Sequence, residues 1–263
     1  MRNTDEAGLR AQLEAQNDFS DPSDIVELAE YAKVSLLEMF CDIIIFLSNV
    51  AYCGVLGSEL KSVSIADRVL VRSNRGHIGL PRSVDNYDFL TSGVRPEVTL
   101  DEILSWSRKC NGIWSGKAKA SVEKVMSFLS HTFDGSNRDE VAALLWATAG
   151  LEAIACGGED SKRKQLKLRM PQVCGLMPFA NAAKTVVDGY DFRSRLFHGD
   201  IPTINSFAPD DIGWGKDRYD YKISDYSVAF QMMLIAAVWK SIKLDANHIT
   251  FQETAEFSRV VTT

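Results

Sequence analysis

Residues 141–156, opening Val141-Ala142-Ala143-Leu144-Leu145-Trp146-Ala147, are apolar almost all the way round and are stopped by Gly157-Gly158. A helix without a polar face cannot lie on a surface, so other elements have to surround it. The candidates for that role are themselves helical. Asp21-Pro22-Ser23-Asp24 sets a proline and an acidic first turn before a long apolar pattern from 25 to about 52. Thr99-Leu100-Asp101-Glu102 has the form of a capping box, with a threonine oxygen for the N3 amide and a glutamate reaching back.

Another helix is expected over 118–129, and Asn137-Arg138-Asp139-Glu140 offers a box-like start to the apolar run. Residues 161–169 are basic and helix-prone. Pro178 suits the first turn of a helix running through Val186 and Val187 to Phe197, with Gly199 just beyond its end. After a loop-like 200–223, Ser224 or Asp225 is the expected cap of a last long helix to about Leu244.

Only 58–98 reads differently. Ser62-Val63-Ser64-Ile65 and Val69-Leu70-Val71 are β-rich, while Gly76, Gly79, Pro81, Gly93 and Pro96 punctuate the rest, which gives a loop-rich insertion with one short β-hairpin. The expected fold is mainly α, a helical bundle in the C-terminal half preceded by an N-terminal helical region. Its divisions are an acidic tail over 1–20, an accessory region over 21–135, the bundle over 136–245 and a tail over 246–263. A chain of 263 residues can bury such a core without covalent staples.

The apolar runs 43–57 and 226–239 fall short of the roughly 20 residues a membrane-spanning helix needs, so both read as core and no membrane partner is expected. The first thirty residues are acidic and polar, unlike a secretory signal, and the chain reads as cytoplasmic. Five cysteines, Cys41, Cys53, Cys110, Cys156 and Cys174, are odd in number and form no CxxC pair, which fits buried thiols in a reducing compartment. His77, His131 and His248 stand apart without metal-ligand spacing, so neither metal nor cofactor is expected. Trp106, Trp114, Trp146 and Trp239 read as core or near-core.

The net charge of −6 is localised: residues 1–30 hold eight acids and two arginines, leaving 27 acids against 27 bases in the remainder. A basic site for an anionic partner therefore stays open despite a pI of 5.3.

The densest chemistry lies at Tyr190-Asp191-Phe192-Arg193-Ser194-Arg195-Leu196-Phe197-His198-Gly199. Arg193 and His198 are five apart at the end of a helix. Upstream stand Leu151-Glu152-Ala153-Ile154 and the basic segment ending Lys167-Leu168-Arg169. Over about 137–244 this resembles the HEPN superfamily and its Rx4–6H signature, most closely the ApeA-like branch of prokaryotic defence systems. Ser194 stands where many active members carry asparagine, aspartate or histidine.

The resemblance implies a HEPN-type bundle and a metal-independent endoribonuclease that cuts by 2′-hydroxyl attack to a 2′,3′-cyclic phosphate, acting as a toxin or anti-phage effector. Histidine suits the proton transfers, with an unperturbed pKa of about 6.5, and arginine matches phosphate oxygens as a planar, permanently charged fork. Five helical residues span about 140° of turn, so one helix alone makes a wide site. The family's composite sites imply a homodimer or higher homo-oligomer, with an antitoxin or defence-system protein as a further partner.

On this reading Arg193 and His198 are catalytic, and Ser194, Glu152 and Tyr190 support them. Lys162, Arg163, Lys164, Lys167, Arg169 and Arg195 contact RNA. Glu152, if buried, is expected either to pair with an arginine, Arg193 or Arg169, or to cap a neighbouring loop. The ordinary alternatives are an arginine bonding terminal carbonyls, a capping histidine and a solvated basic face. They correspond to a catalytically degenerate dimerisation and RNA- or nucleotide-binding module, or to a scaffold of a defence complex.

Overall fold

A computed structural model of the chain describes residues 22–51, 63–65, 68–71, 98–133, 140–157, 161–174, 181–201, 218–251 and 255–258. The acidic segment 1–20, most of 58–97, the break at 134–137, Gly158, Pro178, residues 202–217, Cys53 and His77 lie outside them. The described fold is mainly α. Helix α1 is Pro22–Ala51, and a hairpin of β1 (Val63–Ile65) and β2 (Arg68–Val71) follows. Then come α2 (Leu100–Ser107), α3 (Asn111–Ser115), α4 (Ser121–Thr132), α5 (Glu140–Ala155), α6 (Lys162–Cys174), α7 (Ala182–Phe197) and α8 (Arg218–Lys243). A second hairpin, β3 (His248–Phe251) with β4 (Ala255–Ser258), follows α8.

These elements fall into two compact units. Among the described residues the first holds 22–45 and the β1–β2 hairpin, whose antiparallel register shifts between Val63 and Ser64. The hairpin lies where the β-rich residues of 58–98 placed it. The second unit holds 46–51 and everything from 98 onward.

In the second unit the most completely buried helix is α8, which packs on α4, α5, α6 and α7. Every residue from 230 to 239 is buried, including Phe230, Met232, Met233, Leu234 and Trp239. Each such apolar side chain removed from water contributes about 1.5–3 kcal/mol. Helix α5, expected to be wrapped on all sides, buries Leu144, Ala147, Leu151 and Ile154 but leaves Trp146 at 36% exposure. Trp146 is therefore a surface residue. Its ring stacks on exposed His131 with centroids 4.4 Å apart. The last residues of α1 join this core: Phe46 meets Phe133 edge-on, and the Trp239 indole donates to the Val50 carbonyl at 2.9 Å.

Local signals explain several helix starts. The Thr99 hydroxyl accepts from the Glu102 amide at 3.2 Å while the Glu102 carboxylate accepts from the Thr99 amide at 2.8 Å, as the capping box requires. Helix α7 starts four residues after Pro178, behind an Asn181 cap whose side chain accepts from the Lys184 amide. Helix α8 begins at Arg218, so Ser224 and Asp225, read as its cap, lie inside it, and Ser224 is buried.

The start of α4 is closed from outside. Val122 donates to the Asn247 carbonyl at 3.1 Å, and the Ser121 amide donates to His248 Nδ1 at 3.2 Å. The buried Glu123 carboxylate accepts from the amides of Lys119 and Ala120 at 3.1 and 3.2 Å. Residues from 246, read as a tail, thus form a hairpin that satisfies orphan amides of a helix. Trp106 adds a 2.7 Å bond to the Ala246 carbonyl. The division placed near 135 falls between α4 and α5, two helices of the same unit that pack on each other.

Candidate functional site

Helix α7 carries the motif, and its buried stripe of Val186, Gly189, Phe192 and Leu196 faces the core. Gly189 is where it comes closest to α8: a Cβ there would stand 2.5 Å from Phe230 Cζ and 2.8 Å from Tyr226 Cδ1. Phe192 packs on Tyr226 with ring centroids 5.3 Å apart. Beside this stripe, Tyr190, Arg193 and Phe197 follow each other at helical spacing.

The Arg193 guanidinium lies over the exposed Phe197 ring, 4.9 Å from its centroid. Its Nε is buried and has no hydrogen-bond partner among the described residues. His198 is the C-cap, exposed to solvent, with its amide donating to the Ser194 carbonyl at 3.0 Å. Gly199 takes φ +78, its amide reaching Leu196, and the Asp200 amide reaches the Arg195 carbonyl at 2.9 Å. This is a Schellman closure, which needs a residue that tolerates the left-handed region. It places His198 in the last turn, at the surface. Ser194 is half-buried and Arg195 exposed.

Glu152 sits in the last turn but one of α5 and pairs with Lys162, the first residue of α6. The expected arginine partner is thereby replaced by a lysine. Lys162 opens α6 seven positions after α5 ends at Ala155, and it is the cation that reaches Glu152. The carboxylate is 19% exposed and the ammonium 56%. The pair holds the Lys162 ammonium above its usual pKa.

Arg169 is engaged elsewhere. Its Nη1 donates to the Ala155 carbonyl at 2.8 Å, closing the end of α5, and to Gln165 Oε1 at 2.7 Å, while the guanidinium covers the Phe251 ring. Arg163 holds Asp191 through Nε and Nη2, at 2.8 Å to one oxygen each. Of the six basic residues expected to contact RNA, Lys162, Arg163 and Arg169 serve contacts within the chain, and Lys164, Lys167 and Arg195 are exposed.

Four groups from three helices are nevertheless brought together. The Arg163–Asp191 pair sets the first turn of α6 against the middle of α7, and Lys162 next door ties it to Glu152 on α5. Tyr190, half-buried between them, has its phenol pushed up by burial and by Glu152, against the opposing pull of Lys162 and Arg193. Asp191, the anchor of Arg163, was not among the residues singled out, because its partner lies 28 positions away in sequence.

Cys156, beside Glu152, has its thiol pushed up to about 11 by burial and then by that carboxylate. Burial raises Cys174 to about 12. Both remain thiols at neutral pH, poor nucleophiles. Among the described residues no group of three or more His, Cys, Asp or Glu side chains could hold a metal ion, and no helix is long and apolar enough to cross a membrane.

Comparison with protein-family models, with curated proteins and with solved structures finds no match to this chain.

Proposed function

We propose that the chain is a HEPN-type, metal-independent endoribonuclease, acting as a defence or toxin effector and working as a pair of copies. The observation that carries this reading is Arg193: a guanidinium with a buried N–H that no group among the described residues accepts, on the helix that the solvent-facing His198 caps. With Nε enclosed and given no acceptor by the described residues, the terminal nitrogens of the fork are left to meet an anion, and a phosphodiester oxygen is a fitting acceptor.

In the proposed reaction one His198 takes the proton of a ribose 2′-hydroxyl. That oxygen bonds to the adjacent phosphorus, and the bond from phosphorus to the 5′-oxygen breaks. The partner subunit's His198 protonates the leaving 5′-oxygen, while Arg193 neutralises charge on the phosphoryl oxygens. The products are a 2′,3′-cyclic phosphate and a 5′-hydroxyl.

The test is incubation of structured and unstructured RNA with the wild type, Arg193→Ala and His198→Ala in EDTA, with end-group analysis. The expected result is 2′,3′-cyclic phosphate ends from the wild type, a loss of at least about 100-fold in either variant, and no cutting of DNA. Intact RNA with all three proteins, together with equal harmlessness of wild type and His198→Ala when expressed in bacteria, overturns the enzyme reading and leaves a binding module.

A further inference from the structure

The ion pair between α5 and α6 has a chemistry that its neighbours lack. An ammonium carries three N–H donors, and Lys162 gives Glu152 as its hydrogen-bond acceptor while more than half of its side chain stays in solvent. Arg163 instead spends two nitrogens on Asp191, and Arg169 is fixed by a carbonyl, an amide oxygen and an aromatic ring. Glu152 is four-fifths buried, so separating it from Lys162 would strand a carboxylate. The lysine is held rather than loosely tethered, with a largely exposed side chain whose charge, like that of Arg193, acts on the Tyr190 phenol.

We infer that Lys162, oriented by Glu152, is a second phosphate-binding cation of the Arg193 site, contacting the phosphodiester chain of single-stranded RNA next to the linkage that Arg193 holds. This rests on the ribonuclease reading for the identity of the ligand. It separates the basic residues by role: Lys162 belongs to the site, while Arg163 and Arg169 hold the helices that build it.

Counterion release gives the measurement. Each phosphate contact to a single strand adds about 0.7 to the slope of log affinity against log salt concentration. The probe is a fully 2′-O-methylated RNA oligonucleotide, which lacks the attacking hydroxyl, titrated into the full chain at several salt concentrations. Lys162→Met is expected to lower the slope by about 0.7, equivalent to ~2.6-fold less loss of affinity over a fourfold rise in salt. Arg163→Met is expected to leave it unchanged. Because Lys162→Met alone leaves Glu152 without a partner, the double variant Glu152→Gln/Lys162→Met is measured alongside and should show the same reduction.

If Arg193→Met lowers the slope but both Lys162 variants keep the wild-type value, the inference fails and the site reading stands. If the oligonucleotide does not bind, or Arg193→Met also leaves the slope untouched, both fail.

Discussion

Gly189→Ala tests whether α7 is seated on α8 as described. The added methyl carbon would lie 2.5 Å from Phe230 Cζ, 2.8 Å from Tyr226 Cδ1 and 2.9 Å from Phe230 Cε1. All three are closer than carbon atoms tolerate. Phe230 is fully buried in the middle of the central helix, so its ring has no free space to enter. Overpacking of this kind costs about 1–3 kcal/mol, and two clashes on one enclosed ring favour the upper half of that range. Alanine returns about 1 kcal/mol through its better helix propensity. The net expectation is a loss of about 1–2 kcal/mol.

At about 2–4 °C per kcal/mol for a domain of this size, Tm should fall by about 2–8 °C. Gly157→Ala is the control, since nothing stands within 4 Å of its added carbon. It should stay within about 0.5 kcal/mol of the wild type. Urea unfolding followed by circular dichroism measures both. If Gly189→Ala is as stable as the wild type or more so, propensity has outweighed packing, and the close approach of the two helices is refuted. The substitution adjoins Tyr190, so the same variant should lose RNA-cutting activity with Arg193 and His198 both intact.

Two further perturbations address other joints of the fold. Glu123→Ala removes a buried carboxylate that accepts backbone amides before α4. A loss of about 2–4 kcal/mol in urea unfolding is expected, and a change under about 0.5 kcal/mol would refute the capping role. Glu102 is held at a pKa of about 2, below its ordinary 4.5, by Lys243 and then Thr99. A depressed folded-state pKa gives stability that is full above 4.5 and fades as pH falls toward 2. The Tm gap between wild type and Glu102→Gln should therefore narrow over that window, and a gap constant with pH would refute the pairing.

What the sequence made legible was local. The capping box at Thr99 and Glu102, the glycine closure after His198 and the hairpin around residues 63–71 each depend on residues within a few positions of one another. The helix starts that were misplaced depend on something distant or on competing local signals. Pro178 suits the opening of α7 in sequence, but the cap is Asn181, whose side-chain oxygen accepts from the Lys184 amide as proline cannot. The 246–258 hairpin was unreadable as such because its role is to meet the amides of α4, more than a hundred residues earlier. The site divides the same way. The motif on α7 was visible as a string, whereas the choice of Lys162 over an arginine for Glu152, and of Asp191 for Arg163, arises only where three helices meet.

That division bears on the most ordinary explanation of the motif arginine, that it holds the end of a helix. The chain contains an arginine that does this. Arg169 donates to the terminal carbonyl of α5 and to a glutamine oxygen, with its plane against a phenylalanine. Arg193 shares only the last of these features: it covers Phe197, yet its buried Nε donates to nothing among the described residues, and the carbonyls of Ser194, Leu196 and Arg195 are taken by the amides of His198, Gly199 and Asp200. A structural arginine would lower its energy by finding an acceptor, as Arg169 does. On the proposed reading, an arginine kept aromatic-stacked and short of an acceptor among the described residues is pre-oriented for an anion from outside the chain. Arg193→Lys separates the alternatives, because it keeps the charge and removes the planar fork. A helix-holding residue should tolerate it with little change in activity, whereas a phosphate-orienting one should lose most of its cutting rate while Tm stays close to that of the wild type.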